Sequence, residues 1–198
     1  THSMNFEKEV KKGKFINVDE AIAYEFGYYA QNTKKLVIVG NTSEFLEKQL
    51  SRTKCSVENV TIENKKINYS VTTSGSTFIV NNIKYNFKYL LPKKTSTLIL
   101  MCSCLIKYLN EKFDIRFINF KLAPGRSSVF EGIKNTTLID STYNANLDSM
   151  VEIVEMFSEI DAKERWVVLG DMIEQGSQEE GEHKKLGDLI LKHNFQKV

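Results

Sequence analysis

The hydrophobic pattern changes its period along the chain. Between Cys55 and Tyr89, apolar and polar residues alternate over four short segments that are separated by polar turns. A two-residue period of this kind predicts an antiparallel meander with one face on the core. The four segments are Val57–Ile62, Lys66–Thr72, Ser76–Val80 and Ile83–Phe87.

Before the meander, the pattern predicts strands alternating with helices. Ala21, Ile22, Phe26 and Tyr29 recur at approximately helical spacing. Ser43 precedes a second apolar-periodic segment as its N-cap. The predicted elements are a strand at Phe15–Glu20 that runs into an acidic turn, a helix at Ala21–Ala30, a buried strand at Leu36–Val39 and a helix at Ser43–Leu50.

After the meander, the pattern predicts an apolar helix at Leu98–Leu109 and a second helix or short strand at Ile115–Phe120. Ala123-Pro124-Gly125 follows and contains the only Pro-Gly pair of the chain. Such a pair is typical of a linker, so we predict a domain boundary there. The chain is thereby divided into residues 5–123 and residues 124–198.

In residues 124–198, the pattern predicts a strand, a loop, a helix and a second strand in succession. A buried strand at Thr136–Ile139 ends at Asp140, and a second buried strand at Trp166–Leu169 ends at Asp171. Ligands of open α/β sheets bind at this edge, where the strands end. A polar loop and a helix lie between the strands, with Asp148 or Ser149 as the predicted cap, and a last helix is predicted at Glu179–His193.

Composition excludes several classes of protein. Hydrophobic residues make up 41% of the 198 and charged residues 26%, as in ordinary globular proteins. The net charge of +2 gives no electrostatic basis for binding nucleic acid or a membrane, and no apolar run reaches the roughly 20 residues that span a bilayer. Three cysteines suit a reducing compartment, and Cys102 and Cys104 are predicted as buried core thiols.

The polar loop carries the most specific pattern in the chain. It contains D-x-x-Y-N-A-N-x-x-S-M, followed about one helix later by V-L-G-D-M-x-E-x-G and then by a histidine. This combination resembles the Mur ligases, and in particular those that add D-Ala-D-Ala to the muramoyl tripeptide. The matching residues are Asp140, Tyr143, Asn144, Ala145, Asn146, Ser149, Met150, Val168, Leu169, Gly170, Asp171, Met172, Glu174, Gly176 and His183.

The resemblance implies an α/β fold. Residues 5–123 would be part of a Mur ligase central domain, a mixed sheet with an antiparallel meander, and residues 124–198 the first part of a Rossmann-like C-terminal domain. It also implies a cytoplasmic, ATP-dependent carboxylate–amine ligase of peptidoglycan precursor synthesis. That enzyme joins D-Ala-D-Ala to UDP-MurNAc-tripeptide through an acyl phosphate, with ATP and Mg²⁺ as cofactors.

The resemblance also assigns roles to residues. Asp140 would hold the ATP ribose, and Arg126 would face the nucleotide phosphates. Tyr143, Asn144 and Asn146 would line the cleft where the amine dipeptide arrives, and Asp171 would shape the same cleft.

The residues by themselves leave plainer interpretations open. Arg126 would then be a solvated hinge residue, Asp140 a loop cap, and Asn144 and Asn146 turn formers. His183 would be a surface or supporting residue rather than a base.

The chain departs from the family in two places. It has no G-x-x-x-x-G-K-[ST] loop, so a P-loop-containing segment before Met4, or a separate subunit, would have to hold the ATP phosphates. Leu91–Thr97 stands where the family has its adenine-side motif, with Lys93 or Lys94 as substitutes. We therefore expect this chain alone to bind ATP weakly or not at all.

The missing loop keeps other hypotheses open. The alternative is a non-catalytic Mur-like binding or regulatory module, without ATP-phosphate binding. A third hypothesis is another amide ligase of the superfamily, such as one that builds a folate or polyglutamate tail; the Y-N-A-N string argues against it.

Overall fold

The computed structural model describes residues 3–62, 65–112, 120–173 and 175–198, with side chains from residue 6 onward. These residues form two units that interleave along the sequence. The first unit comprises Thr1–Asn64 and Thr97–Lys112, and the second comprises Lys65–Ser96 and Phe113–Val198. The predicted boundary after residue 123 concerns the domains of the family, and it stays a prediction.

The first unit is built around a parallel pair of strands. Strands β1 and β2 pair in parallel, with Leu36 opposite Ser56, and helix α3 forms the crossover between them. The elements are α1 (Ser3–Lys11), α2 (Val18–Asn32), β1 (Leu36–Val39), α3 (Glu44–Leu50), β2 (Ser56–Asn59) and, from Thr97 onward, α4 (Thr95–Tyr108).

Helix α2 turns its small residues inward. Ala21, Ala23 and Ala30 are buried, and a Cβ atom placed on Gly27 would lie 2.4 Å from Cβ of Gln49 on α3. The two helices therefore approach too closely for larger side chains. Because of this, Phe26, which the helical spacing placed on the core face, is instead 61% exposed.

The second unit contains two antiparallel sheets. The meander has the order β3-β4-β5, with Tyr69 opposite Phe78 and Phe78 opposite Tyr85, and a separate pair joins β6 to β7. The elements are β3 (Ile67–Thr72), β4 (Gly75–Val80), β5 (Ile83–Phe87), β6 (Ser128–Glu131), β7 (Thr137–Asp140), α5 (Leu147–Glu159) and α6 (Glu179–Lys192), with 3₁₀ turns at Ile133–Asn135 and Gly176–Gln178.

Helix α5 lies at the centre of the second unit. Its Met156 packs with Val71 of the meander and with Leu90, and its Val154 packs with Met172 and with Leu186 of α6. The meander is also tied to the following loop, because the Tyr69 hydroxyl donates to the carbonyl oxygen of Leu91 over 2.8 Å. One helix thus carries apolar contacts on two sides.

The structure confirms the α/β fold with an antiparallel sheet, together with most helices and strand β1. It differs on the first predicted strand of the meander, because β2 pairs in parallel with β1. Phe15–Glu20 is not a strand either. The side chain of Asn17 accepts a hydrogen bond from the N–H of Glu20, and this cap starts α2 at Val18.

The two strands predicted around the polar loop also differ. Within the described part of the chain, Trp166–Leu169 forms a single bridge, between Trp166 and Lys197, and Val168 is 97% exposed. Thr137–Asp140 is a strand, but it pairs with β6 and leaves Leu138 exposed. Both apolar runs are so short that the sequence does not indicate which of their side chains pack against the core.

Other expectations have separate outcomes. Cys102, predicted as a buried thiol, is exposed because it lies on the outer side of α4. Most of Ile115–Phe120 lies outside the described residues, as does Glu174. Among the helices that the structure describes, none is long and apolar enough to cross a membrane.

Candidate functional site

The candidate site is the loop between β7 and α5 together with two neighbouring segments. Helix α5 starts where Asn146 caps it, because the Asn146 Oδ1 accepts from the Ser149 N–H over 2.9 Å and the Asn146 N–H donates to the Ser149 Oγ over 3.1 Å. This reciprocal pair is a capping box. The predicted caps, Asp148 and Ser149, were therefore wrong by a few residues: Ser149 is the partner of the cap.

Asp140 closes the start of the same loop. Its Oδ1 accepts hydrogen bonds from the Thr142 N–H over 3.0 Å and from the Thr142 hydroxyl over 2.7 Å. Its Oδ2 has no hydrogen-bond partner within the described part of the chain. The carboxylate thus acts as a loop cap with one oxygen and leaves the other to a ligand or to water.

The Pro-Gly-Arg turn lies directly against this loop. The Tyr143 N–H donates to the carbonyl oxygen of Gly125 over 3.1 Å. Gly125 has φ +73°, and a Cβ there would lie 3.1 Å from the Tyr143 nitrogen, so a larger residue would be both strained and crowded. The sequence requires glycine at this position for the two segments to meet.

Arg126 is stacked on an aromatic ring. Its guanidinium carbon lies 4.3 Å from the centroid of the Tyr143 ring, within the range of a cation–π contact. Tyr143 is exposed, so the guanidinium is held on one face while its donors stay accessible. The structure thereby brings together Arg126, Tyr143 and the loop of Asp140.

Asn144 and Asp171 are both exposed. The side chain of Asn144 makes no hydrogen bond within the described residues, and it lies between Tyr143 and the helix cap. Asp171 lies beside Met172, which is buried against Ala145, Leu147 and other residues of one core cluster. The Asp171 segment and the polar loop therefore share a core, which keeps both at the same end of α5.

His183 is the residue whose contacts the sequence did not indicate. Its Nε2 lies 2.8 Å from Oδ1 of Asp171, and its Nδ1 lies 2.8 Å from the carbonyl oxygen of Glu179. The hydrogen bond to the Glu179 carbonyl and the Asp171 carboxylate raise the pKa of the His183 ring above its ordinary value. The histidine that follows the G-D-M string was the available signal, because it belongs to the same pattern.

Of the two lysines in the segment that replaces the adenine-side motif, Lys94 forms an ion pair within the described residues and Lys93 does not. Lys94 Nζ lies 3.6 Å from Oε1 of Glu152 on α5. This exposed ion pair contributes little stability, but it directs Lys94 towards α5. Lys93 is exposed and remains accessible to an anion.

Metal binding has no evident site in the described residues. No group of three or more His, Cys, Asp or Glu side chains there is arranged to hold a metal ion.

A known protein matches part of the sequence. No family profile matches the chain. Over 70 residues it is 37% identical to the UDP-N-acetylmuramoyl-tripeptide--D-alanyl-D-alanine ligase of Escherichia coli (strain K12). The aligned part is 35% of this chain and 15% of that enzyme.

Solved structures match over most of the chain. A MurF ligase from Thermotoga maritima in complex with ADP has a TM-score of 0.65 at 20% identity, over 81% of this chain and 39% of that one. MurF from Acinetobacter baumannii has a TM-score of 0.63 at 20% identity, over 78% and 36%. The chain thus spans less than half the length of these proteins. The chain is therefore similar to MurF ligases in fold, and over 70 residues it is similar in sequence to one D-alanyl-D-alanine-adding ligase.

Proposed function

We propose that the chain is part of an ATP-dependent carboxylate–amine ligase of peptidoglycan precursor synthesis. The enzyme would join D-Ala-D-Ala to UDP-MurNAc-tripeptide through an acyl phosphate, in the cytoplasm. The observation that supports this most directly is the stack of Arg126 on Tyr143 beside the Asp140 loop. It combines a presented cation with a carboxylate oxygen that has no partner in the described residues.

The nucleotide would use these two groups in different ways. Acyl phosphate formation spreads negative charge over the transferred phosphoryl group, and a fixed guanidinium stabilises such charge. Arg126 is suited to this role because its donors are exposed above the Tyr143 ring. Asp140 would accept hydrogen bonds from the ribose hydroxyls through Oδ2. The complex of the Thermotoga maritima MurF with ADP supports nucleotide binding in the family.

The amine dipeptide would meet the other side of the loop. Asn144 offers an exposed amide, and Asp171 an exposed carboxylate that suits an ammonium group. Asn146 would contribute through its amide nitrogen, because its oxygen caps α5. Tyr143 would contribute mainly through Arg126, since its ring carries the guanidinium.

ATP binding would need residues beyond the stack. The sequence has no Gly-rich phosphate loop, so the P-loop-containing segment or subunit of the proposal would hold the β- and γ-phosphates. Mg²⁺ would accompany the nucleotide there, because Mg²⁺ commonly binds through one or two carboxylates together with the nucleotide phosphates.

The proposal is tested by titrating this chain with D-Ala-D-Ala and following backbone amide shifts by NMR. We expect shifts at Asn144 and Asp171, and much smaller shifts with L-Ala-L-Ala as the matched control ligand. Equal shifts for both dipeptides, or none at the loop, would contradict the amine assignment. Calorimetry with ATP, with and without Mg²⁺, completes the test, and we expect weak or undetectable binding to this chain alone.

The second candidate is a non-catalytic Mur-like binding or regulatory module. The pairing of Lys94 with Glu152 favours it, since that lysine is directed to α5 instead of being free for a nucleotide. An assay of ADP release distinguishes the two. The chain is combined with a P-loop-containing segment, UDP-MurNAc-tripeptide and D-Ala-D-Ala, and only the ligase would make ADP release depend on both substrates.

A further inference from the structure

The ring of His183 is hydrogen-bonded at both nitrogens, near the start of α6. Nδ1 faces the carbonyl oxygen of Glu179, while Nε2 faces both Oδ1 of Asp171 at 2.8 Å and the backbone nitrogen of Met172 at 3.2 Å. A carbonyl oxygen only accepts hydrogen bonds, so Nδ1 carries a proton whatever the charge of the ring. When the ring gains or loses a proton, it is therefore Nε2 that changes its protonation.

The two contacts of Nε2 exclude each other. A carboxylate only accepts, so the bond to Asp171 requires a proton on Nε2 and hence a charged ring. The N–H of Met172 donates, so its bond requires the lone pair of a neutral ring. When the ring loses its proton, Nε2 turns from a donor to Asp171 into an acceptor from Met172.

The backbone at Met172 is held in place because the Met172 side chain is buried. Its side chain is 1% exposed and packs with Val154, Leu186 and Ile190, whereas Ile173 beside it is exposed. The core therefore holds residue 172 in place in either protonation state. The side chain of Asp171, by contrast, is 68% exposed, and within the described residues its one hydrogen bond is to His183.

We propose that His183 is a positioning residue for Asp171, whose charged ring ties the carboxylate to α6 and whose neutral ring frees it to bind an ammonium group. The proposal rests on the proposed function, in which the amine dipeptide approaches Asp171. A freed carboxylate forms a charge-assisted hydrogen bond with an ammonium, whereas a tied one is already neutralised. Amine binding at this site should therefore strengthen as the pH rises through the pKa of His183.

Among the described residues, two charged groups face the ring of His183. Asp171 faces it from the exposed segment, and Glu179 faces it from α6 itself. Helix α5, which packs against α6, contributes apolar side chains such as Met150 and Val154 to the shared core, and the turn Gly176–Gln178 has no ionisable side chain. The hydrogen bond to the Glu179 carbonyl raises the pKa of His183 most, partial burial opposes it, and the bond to Asp171 raises it further.

The first arm of the test measures the ring itself. In ¹⁵N NMR of this chain, we expect His183 to titrate above the ordinary value of about 6.5, with its Nε2 protonated at low pH. Asp171→Asn should lower that pKa, because it removes the charged acceptor. Asp188→Asn, at an exposed position of the same helix, is the matched control and should leave it unchanged. An unchanged pKa in Asp171→Asn overturns the positioning role.

The second arm measures binding of D-Ala-D-Ala as a function of pH. Below the pKa of His183, each pH unit should weaken apparent binding about tenfold in the unsubstituted chain, because only the neutral fraction is competent. His183→Gln should abolish this dependence. Binding that is independent of pH in both proteins overturns the proposal.

The two arms separate the inference from the proposed function. If D-Ala-D-Ala binds at no pH while Asp171→Asn still lowers the His183 pKa, the positioning of Asp171 stands and the amine assignment fails. If the dipeptide binds but Asp171→Asn leaves the pKa of His183 unchanged, the inference fails and the proposed function stands.

Discussion

The side chain of Arg126 is oriented by its contact with the ring of Tyr143. A cation over an aromatic ring at an exposed site gains about 0.5–1 kcal/mol, which is enough to bias a long flexible side chain towards one orientation. In the described residues, no carboxylate forms an ion pair with this guanidinium. A charge that is oriented but unpaired is suited to a ligand.

The stack predicts different effects for two substitutions of Tyr143. Tyr143→Leu removes the ring, so the Arg126 side chain should become more mobile, as measured by ¹⁵Nε relaxation of the guanidinium. Tyr143→Phe retains the ring face and should retain the order of Arg126. Equal mobility of Arg126 in the two variants would show that the ring does not hold it.

Asp140 is predicted to act through both of its oxygens. In a ligase completed by the P-loop segment, Asp140→Ala should raise the Michaelis constant for ATP about tenfold or more, since one charge-assisted bond is worth roughly 1.5–3 kcal/mol. It should also lose about 1 kcal/mol of stability, because the Thr142 N–H and hydroxyl lose their acceptor.

A second variant separates the two roles of this carboxylate. Asp140→Asn keeps an acceptor oxygen for Thr142 but not the charge. It should retain the stability while still weakening use of ATP. If Asp140→Ala unfolds the chain and ATP use is unaffected in the folded fraction, then Asp140 is a structural cap and its ribose assignment is wrong.

At the scale of elements, capping decides where the site loop ends. Asn146→Ala removes the acceptor of the capping box and should cost about 1 kcal/mol of the free energy of unfolding. Asn144→Ala, two residues earlier and exposed, should change it by less than about 0.5 kcal/mol. Urea unfolding followed by fluorescence of Trp166, which lies in the same unit, measures both. Similar losses for the two variants would contradict the assignment of the cap.

The contact between α2 and α3 gives a second prediction at this scale. Gly27→Ala places a Cβ 2.4 Å from Cβ of Gln49, so the helices must move apart, at a cost of about 1–3 kcal/mol. Gly187→Ala, in α6 with nothing within 4 Å of the new Cβ, should stabilise its helix by about 0.5–1 kcal/mol. Urea unfolding followed by circular dichroism distinguishes the opposite signs, and a loss of stability in both variants would contradict the crowding argument.

For the whole molecule, the raised pKa of His183 links stability to pH. Because the folded pKa lies above the unfolded value, the stabilisation is fully present below about pH 6.5 and is lost as the pH rises through the folded pKa. The urea midpoint of the unsubstituted chain should exceed that of His183→Gln by more at about pH 5.5 than at about pH 8.5. A difference that does not change with pH would show that the ring does not titrate in contact with Asp171.

Local signals in the sequence were sufficient for the helices. Ser43 caps α3 as predicted, and the apolar spacing at residues 98–109 and 179–193 predicted α4 and α6 within a few residues. Helix formation depends on neighbours three and four residues apart, so a single segment contains the information. The Y-N-A-N and G-D-M strings likewise indicated the resemblance to Mur ligases and the candidate loop without any structure.

Strand pairing and orientation could not be predicted in this way. The alternation in Val57–Ile62 was correct for a strand, yet β2 pairs with β1 across a helix instead of joining the meander. Trp166–Leu169 is apolar but uncovered, and Phe26 faces outward because Gly27 and its alanines bring α3 too close. Each of these outcomes depends on partners distant in sequence, which a local period does not encode.

The same division runs through the candidate site. The sequence by itself determined which residues are present, namely Arg126, Asp140, Tyr143 and Asp171, in a pattern typical of Mur ligases. Only the tertiary structure decided that Tyr143 carries Arg126 and that His183 holds Asp171. These contacts join residues that are 17 and 12 positions apart, through a turn that needs Gly125 and a core that fixes Met172. A motif specifies chemistry, but the distance between two side chains is set by packing.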